Sequence, residues 1–254
     1  MGSRNDQKQE RKVERLEAEQ HGAAEARRKK LFAGVGAAAL AALVAVVALI
    51  AISQSGGEGA AGGGDVAGVD AVNSELAGID QEGTVLGETA EVRVVEFGDL
   101  QCPACAAYSE SVIPELISGP VSAGDAQLEF RNFNIIGPDS NTAAKAALAA
   151  SEQDRYWQFV EIFYRNQGAE ESGYIDGEFL TDIAVAAGVE DLDAWNESRA
   201  DPKWDATLAE AQQQAAEAGF NSTPSVLVEG PGGTEALGTP GSAAEIEEAI
   251  TRAG

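Results

Sequence analysis

The chain has 254 residues, 44% hydrophobic but only 6% aromatic, with 29 glycines, which allows one large or two small domains with part of the length outside any core. Its formal charge of −25 is uneven: residues 1–30 carry nine Lys/Arg against six Asp/Glu, so the remainder stands near −28, a surface that repels phosphate backbones and excludes nucleic-acid binding. A zinc centre needs about four ligands, and beyond two cysteines the chain offers only His21 as a soft ligand, so no metal is expected.

Residues 1–30 are charged throughout and close on Arg27-Arg28-Lys29-Lys30, after which 31–52 runs 22 residues without a charge. That length spans a bilayer as one helix. The charged lead is long for the n-region of a cleaved signal peptide, and no small-x-small cleavage site is evident, so 31–52 reads as an uncleaved signal anchor. The basic cluster predicts a cytoplasmic tail at 1–30 and an extracytoplasmic remainder, hence a single-pass protein of the cell membrane. Residues 53–82 include Gly-Gly-Glu-Gly-Ala-Ala-Gly-Gly-Gly and read as a flexible linker with no means of packing.

The globular pattern covers 83–254. A short apolar segment at 85–86 precedes a β-branched strand at 92–97; an Ala-rich helical stretch runs from Pro103 toward Ile117; and 126–133 alternates like another strand. Helical patterns follow at 141–150, 155–166, 177–187, 192–197 and 202–218. Tyr156, Trp157, Phe159, Phe163 and Tyr164 read as the core of this helical insertion, which occupies about 140–218. The chain then returns to strand at 224–229, turns through Gly-Pro-Gly-Gly, forms a short strand at 234–237 and ends in a helix from Ser242 to Arg252. Ser242 and Glu245 are spaced as a capping box. The order is βαβ, a helical insertion, then ββα: an α/β fold.

The chain's only cysteines, Cys102 and Cys105, stand at the junction of the 92–97 strand and the helix after it. Proline is well tolerated at the first helical turn, so Pro103 makes Cys102 the N-cap, with its sulfur facing unpaired N–H groups and the positive end of the helix dipole. A thiolate is stabilised there. A passive staple closing a four-residue loop would contribute only about 2 kcal/mol in the chain-entropy model. Redox chemistry is therefore the favoured reading, with Cys102 as the attacking sulfur and Cys105, one turn inside, as the resolving one. An ordinary thiol is only about 3% ionised at pH 7, whereas one lowered to about 6 is about 90% ionised. No cofactor beyond this redox pair is expected.

From 85 to 252 the chain resembles the DsbA-like thiol:disulfide oxidoreductases of thioredoxin fold. The residues that carry the resemblance are Val94-Val95-Glu96-Phe97-Gly98-Asp99 leading into Cys102-Pro103-Ala104-Cys105, Phe130-Arg131-Asn132-Phe133, the helices at 143–164, and Gly219-Phe220-Asn221-Ser222-Thr223-Pro224. The resemblance implies a thioredoxin fold with a helical insertion. It implies that Pro224 is a cis proline packed on the cysteine pair, with Thr223 presenting backbone to substrate, and that Glu96 is a buried proton relay to Cys105. An edge-strand glutamate pointing into water is the alternative for Glu96. Two departures stand out: Asn134 where relatives usually carry proline, and Ala104 where the strongest oxidants carry histidine. The implied activity is oxidation of exported protein thiols by the Cys102–Cys105 disulfide. The implied partner is a quinone-linked membrane reoxidant, DsbB-like or vitamin-K-epoxide-reductase-like. A reductase or isomerase of the same fold, and a binding module with a vestigial disulfide, are the alternatives.

Overall fold

A computed structural model describes residues 66–254. The expected tail at 1–30, the span at 31–52 and most of the linker lie outside these residues. Among the described residues no helix is long and apolar enough to cross a membrane.

Ordered structure begins before residue 83, which corrects the far end of the expected linker. Val69–Glu75 forms helix α1, entered from Gly68 at φ 81, a left-handed conformation that glycine adopts without cost. Val72 and Leu76, four apart, are buried against the domain. Asn166 clasps the entry to this helix, accepting from Ala67 N–H and donating to Ala67 O at 2.9 and 3.0 Å. The strands β1 (Gln81–Glu82) and β2 (Val85–Leu86) follow.

The strands of the described region form one mixed sheet in the order β1-β2-β4-β3-β5-β6, where β3 is Arg93–Gly98, β4 Gln127–Asn132, β5 Ser225–Gly230 and β6 Gly233–Gly238. β3 lies at the centre, parallel to β4 and antiparallel to β5. Its alternation divides the core. Val94 joins the large cluster that includes Cys105, Phe130 and Tyr164, while Val95 and Phe97 join a smaller one with Phe133, Ala215 and Leu227. Glu96 follows the parity of Val94.

The stretch after Cys102 is interrupted where one helix from Pro103 toward Ile117 was expected. Helix α2 covers Pro103–Ser111, the chain bends at Val112, α3 covers Ile113–Leu116, and a π-helical turn follows at Ile117–Val121. Pro114 has no N–H to give Glu110, and its ring crowds that carbonyl, so the helix cannot run through. The insertion between β4 and β5 consists of α4 (Pro138–Ser151), α5 (Tyr156–Arg165), α6 (Gly177–Ala186), α7 (Leu192–Arg199) and α8 (Lys203–Glu217). Tyr156, Trp157, Phe159 and Phe163 are fully buried and Tyr164 nearly so, as expected of its core. Each such side chain contributes about 1.5–3 kcal/mol by leaving water. The terminal helix α9 covers Ala243–Ala253 with Ser242 as N-cap, but Ser242 makes no side-chain cap bond. The expected box does not form: Glu245 instead reaches past the cap to accept from Gly241 N–H at 3.0 Å.

Candidate active site

Strand β3 delivers the chain to the cysteines through a tightly held loop. Asp99 is fully buried; its Oδ1 accepts from Gln101 N–H at 2.9 Å, and its Oδ2 accepts from the N–H groups of Ile135 and Ile136 at 2.8 and 3.0 Å. Asp99 O accepts from Cys102 N–H at 2.9 Å. One carboxylate thus ties the strand end to the segment after β4. Gly98 sits where a Cβ would lie 2.5 Å from the Phe130 ring, so only glycine lets that ring close under the loop.

The helical insertion completes the clamp. Gln167 Nε2 donates to Leu100 O at 2.7 Å and to Cys102 O at 3.2 Å. Gln101 Nε2 donates to Ser140 Oγ at 2.9 Å, and its Oε1 accepts from Glu171 N–H at 3.1 Å. Asp99, Gln101 and Gln167 were not among the expected site residues. Asp99 carried a recognisable signal, since an aspartate that accepts from the N–H two residues on marks a turn; Gln167 carried none.

Cys102 is the N-cap of α2 with Pro103 in the first turn, and Pro103 and Ala104 are exposed. Cys102 is 7% exposed and Cys105 fully buried, and both thiols are free. Cys102 lies lowered to about 6, chiefly by a hydrogen bond from the Cys105 thiol, against the opposing effect of burial; the Thr223 side chain and the backbone N–H groups of Cys105 and Ala104 add smaller amounts. The helix amides, expected as the source, contribute in the expected direction but less than the partner sulfur. Burial first, then the bond to Cys102, pushes Cys105 well up. One sulfur is poised as thiolate and the other held as thiol.

Thr223 and Pro224 come from the far end of the chain. The peptide bond between them is cis. Cys102 Sγ lies 3.5 Å from Thr223 O. The segment is fixed by Ser225 Oγ donating to Ser222 O at 2.8 Å and Thr239 Oγ1 donating to Pro224 O at 2.6 Å.

Glu96 is 2% exposed on the central strand, paired with Phe130 on one side and Val226 on the other, so it is not an edge residue in water. Its Oε1 has no hydrogen-bond partner. Burial first, then the charges of Glu161 and Cys102, raise Glu96 well above the carboxylate range. Glu96 in turn bears on Cys105. Of the expected residues, Glu96, Cys102, Cys105 and Thr223 lie around one dithiol, and Pro224 follows Thr223 in the chain.

A family model described as Thioredoxin matches residues 80–251. The chain belongs to the thioredoxin family. Within it, the chain is 39% identical over 98 residues to the probable disulfide bond formation protein D of Bacillus anthracis, an alignment that covers 38% of this chain and 45% of that one. The chain thus spans about half the length of the curated relatives it matches. Among solved structures, oxidised BdbD of Bacillus subtilis superposes with a TM-score of 0.59 at 24% identity over 66% of this chain and 91% of the other. A thioredoxin-like oxidoreductase from Silicibacter pomeroyi superposes with a TM-score of 0.56 at 29% identity over 71% and 96%.

Proposed function

We propose that the protein is a thiol:disulfide oxidoreductase that introduces disulfides into exported proteins, with Cys102 as nucleophile, Cys105 as resolving sulfur and Glu96 as proton carrier. One observation carries this reading: a depressed Cys102 thiol at a helix start, 3.5 Å from Thr223 O, backed by a fully buried Cys105. A substrate thiolate attacks Cys102 Sγ, the Cys102–Cys105 bond breaks, and its electron pair leaves on Cys105 Sγ, which takes a proton from Glu96. The substrate's second thiolate then attacks the mixed disulfide and releases Cys102 as a thiolate. Stabilising that thiolate favours the reduced form and makes the disulfide a better oxidant. Thr223, beside Cys102 and followed by a residue without an N–H, offers its backbone to an extended substrate chain.

The sequence supports anchoring through 31–52 with the domain outside the cell, where disulfides persist. The redox cycle then needs a membrane reoxidant, and the quinone-linked kind fits a tethered domain whose effective concentration toward it is high. The test is a redox titration of the purified chain, followed by transfer of its disulfide to a reduced, unfolded protein substrate. The expected potential lies at roughly −250 to −130 mV, with stoichiometric transfer. A potential at or below that of thioredoxin would turn the reading into a reductase. Slow exchange with dithiothreitol in a folded chain would make it a binding module.

A further inference from the structure

Another acid lies buried behind the cysteines. Glu161 on α5 is 1% exposed, and its Oε2 accepts from Ser109 Oγ at 2.7 Å and from Arg165 Nη1 at 2.9 Å. Ser109, also 1% exposed, lies one helical turn beyond Cys105 on α2 and so on the same face as the inner sulfur. Arg165 continues outward, its Nη2 meeting Glu75 Oε2 of α1 at 2.7 Å. Glu96, likewise buried, lies near enough for the charge of Glu161 to bear on it, and the donors are unevenly divided between the two. Glu161 has two on a single oxygen, while Glu96 Oε1 has none.

Two carboxyls that feel one another out of water accept one negative charge more readily than two. The donors decide which of them carries it. We propose that Glu161, held by Ser109 and Arg165, is a positioning residue that takes the negative charge of the pair and so keeps the proton on Glu96, where the departing Cys105 sulfur collects it. This rests on the reading of Glu96 as proton carrier and assigns the group that maintains it. In the step itself the Cys102–Cys105 bond breaks, the electron pair stays on Cys105 Sγ, and the Glu96 proton moves to that sulfur. Glu96 is left as a carboxylate, and it recovers the proton from Cys105 when the disulfide is re-formed.

The groups bearing on Glu161 are Ser109 from α2, Arg165 from its own helix and Glu75 from α1; those facing Glu96 are Glu161, Cys102 and Cys105, together with the buried phenols of Tyr108 on α2 and of Tyr156 and Tyr164 on α5. Burial pushes Glu161 up to about 7, with Ser109 and Arg165 opposing it. For Glu96 burial and the charges near it act in one direction, upward.

The proposal is tested on the full chain by infrared titration of the protonated-carboxyl stretch, each spectrum differenced against the matching Glu96→Gln variant and the Glu96 band followed as the higher-frequency component, since its Oε1 accepts no hydrogen bond whereas Glu161 accepts two. In Glu161→Gln the Glu96 midpoint should move to lower pH by roughly half a unit or more, because a negative neighbour is gone. In Ser109→Ala it should move the same way by less, because a less stabilised Glu161 is less ionised. That variant decides the matter if Glu161→Gln does not fold. Midpoints equal to the parent, or moved to higher pH, overturn the proposal. Turnover of Glu96→Gln equal to the parent would overturn the proton-carrier reading instead and leaves the infrared result intact, so the two failures are distinguishable.

Discussion

At Cys102 two opposing effects meet: the Cys105 thiol stabilises the anion, while partial burial disfavours it, and the first prevails to leave the group at about 6. Removing the larger effect should be visible. In Cys105→Ala the pH midpoint for alkylation of Cys102 is expected to rise above 6, whereas in the reduced parent Cys102 should alkylate with a midpoint near 6 and Cys105 hardly at all. Mass mapping of iodoacetamide adducts across pH reads both, and an unmoved midpoint would return the main role to the helix amides. The sign for stability follows. A thiol lowered by folding stabilises the reduced protein above the unfolded thiol's value, and that gain is lost as pH falls through about 6. Comparing Tm of the reduced and oxidised forms reads it, because only the reduced form carries the thiols; the reduced form should lose ground relative to the oxidised one between about pH 8.5 and pH 6. For Glu96 itself, Glu96→Gln should slow disulfide transfer by on the order of 10²-fold or less, most near neutral pH where proton supply matters. An unchanged rate there would remove Glu96 from the reaction.

Among elements, β3 and α2 were legible because each obeys local rules: a β-branched run, then a proline at a helix start. The break at Val112 was legible in principle, since Pro114 alone ends the helix. Helix α1 was not, because seven residues with two apolar anchors carry little periodicity beside a glycine-rich stretch. What holds the cysteine loop was least legible. Gln167 reaches carbonyls 65 and 67 residues upstream, a pairing only the packed insertion creates. Gln167→Ala should cost about 1–3 kcal/mol in denaturant unfolding, since it strips a donor from Leu100 O and leaves Cys102 O with only the Ala106 N–H. No loss of stability would mean that solvent replaces the glutamine there. Glu161 escaped notice for a related reason: it sits among aromatic residues on α5, and its role depends on Ser109, 52 residues away.

For the whole molecule, a formal charge of −25 acts over distances longer than any single contact. Disulfide transfer to a lysine-rich dithiol peptide should be faster than to a glutamate-rich one at low salt, and the two rates should converge toward 1 M salt, where the screening length falls to about 3 Å. Rates indifferent to salt would show that the surface near Cys102 sets the approach. The βαβ, insertion, ββα order was readable from the alternation of strand and helix patterns. The site was readable from the residues themselves where they lie close together in sequence, whereas Thr223, 121 residues from Cys102, was readable only through the resemblance. Translation at 5–20 residues per second separates the two by roughly 6–24 s. In that interval both cysteines have been made while the strand that will shield them has not, so the nascent chain is itself a dithiol open to oxidants and to stray mixed disulfides. If it acts as proposed, a protein built this way passes through a stage in which it is a substrate of its own chemistry.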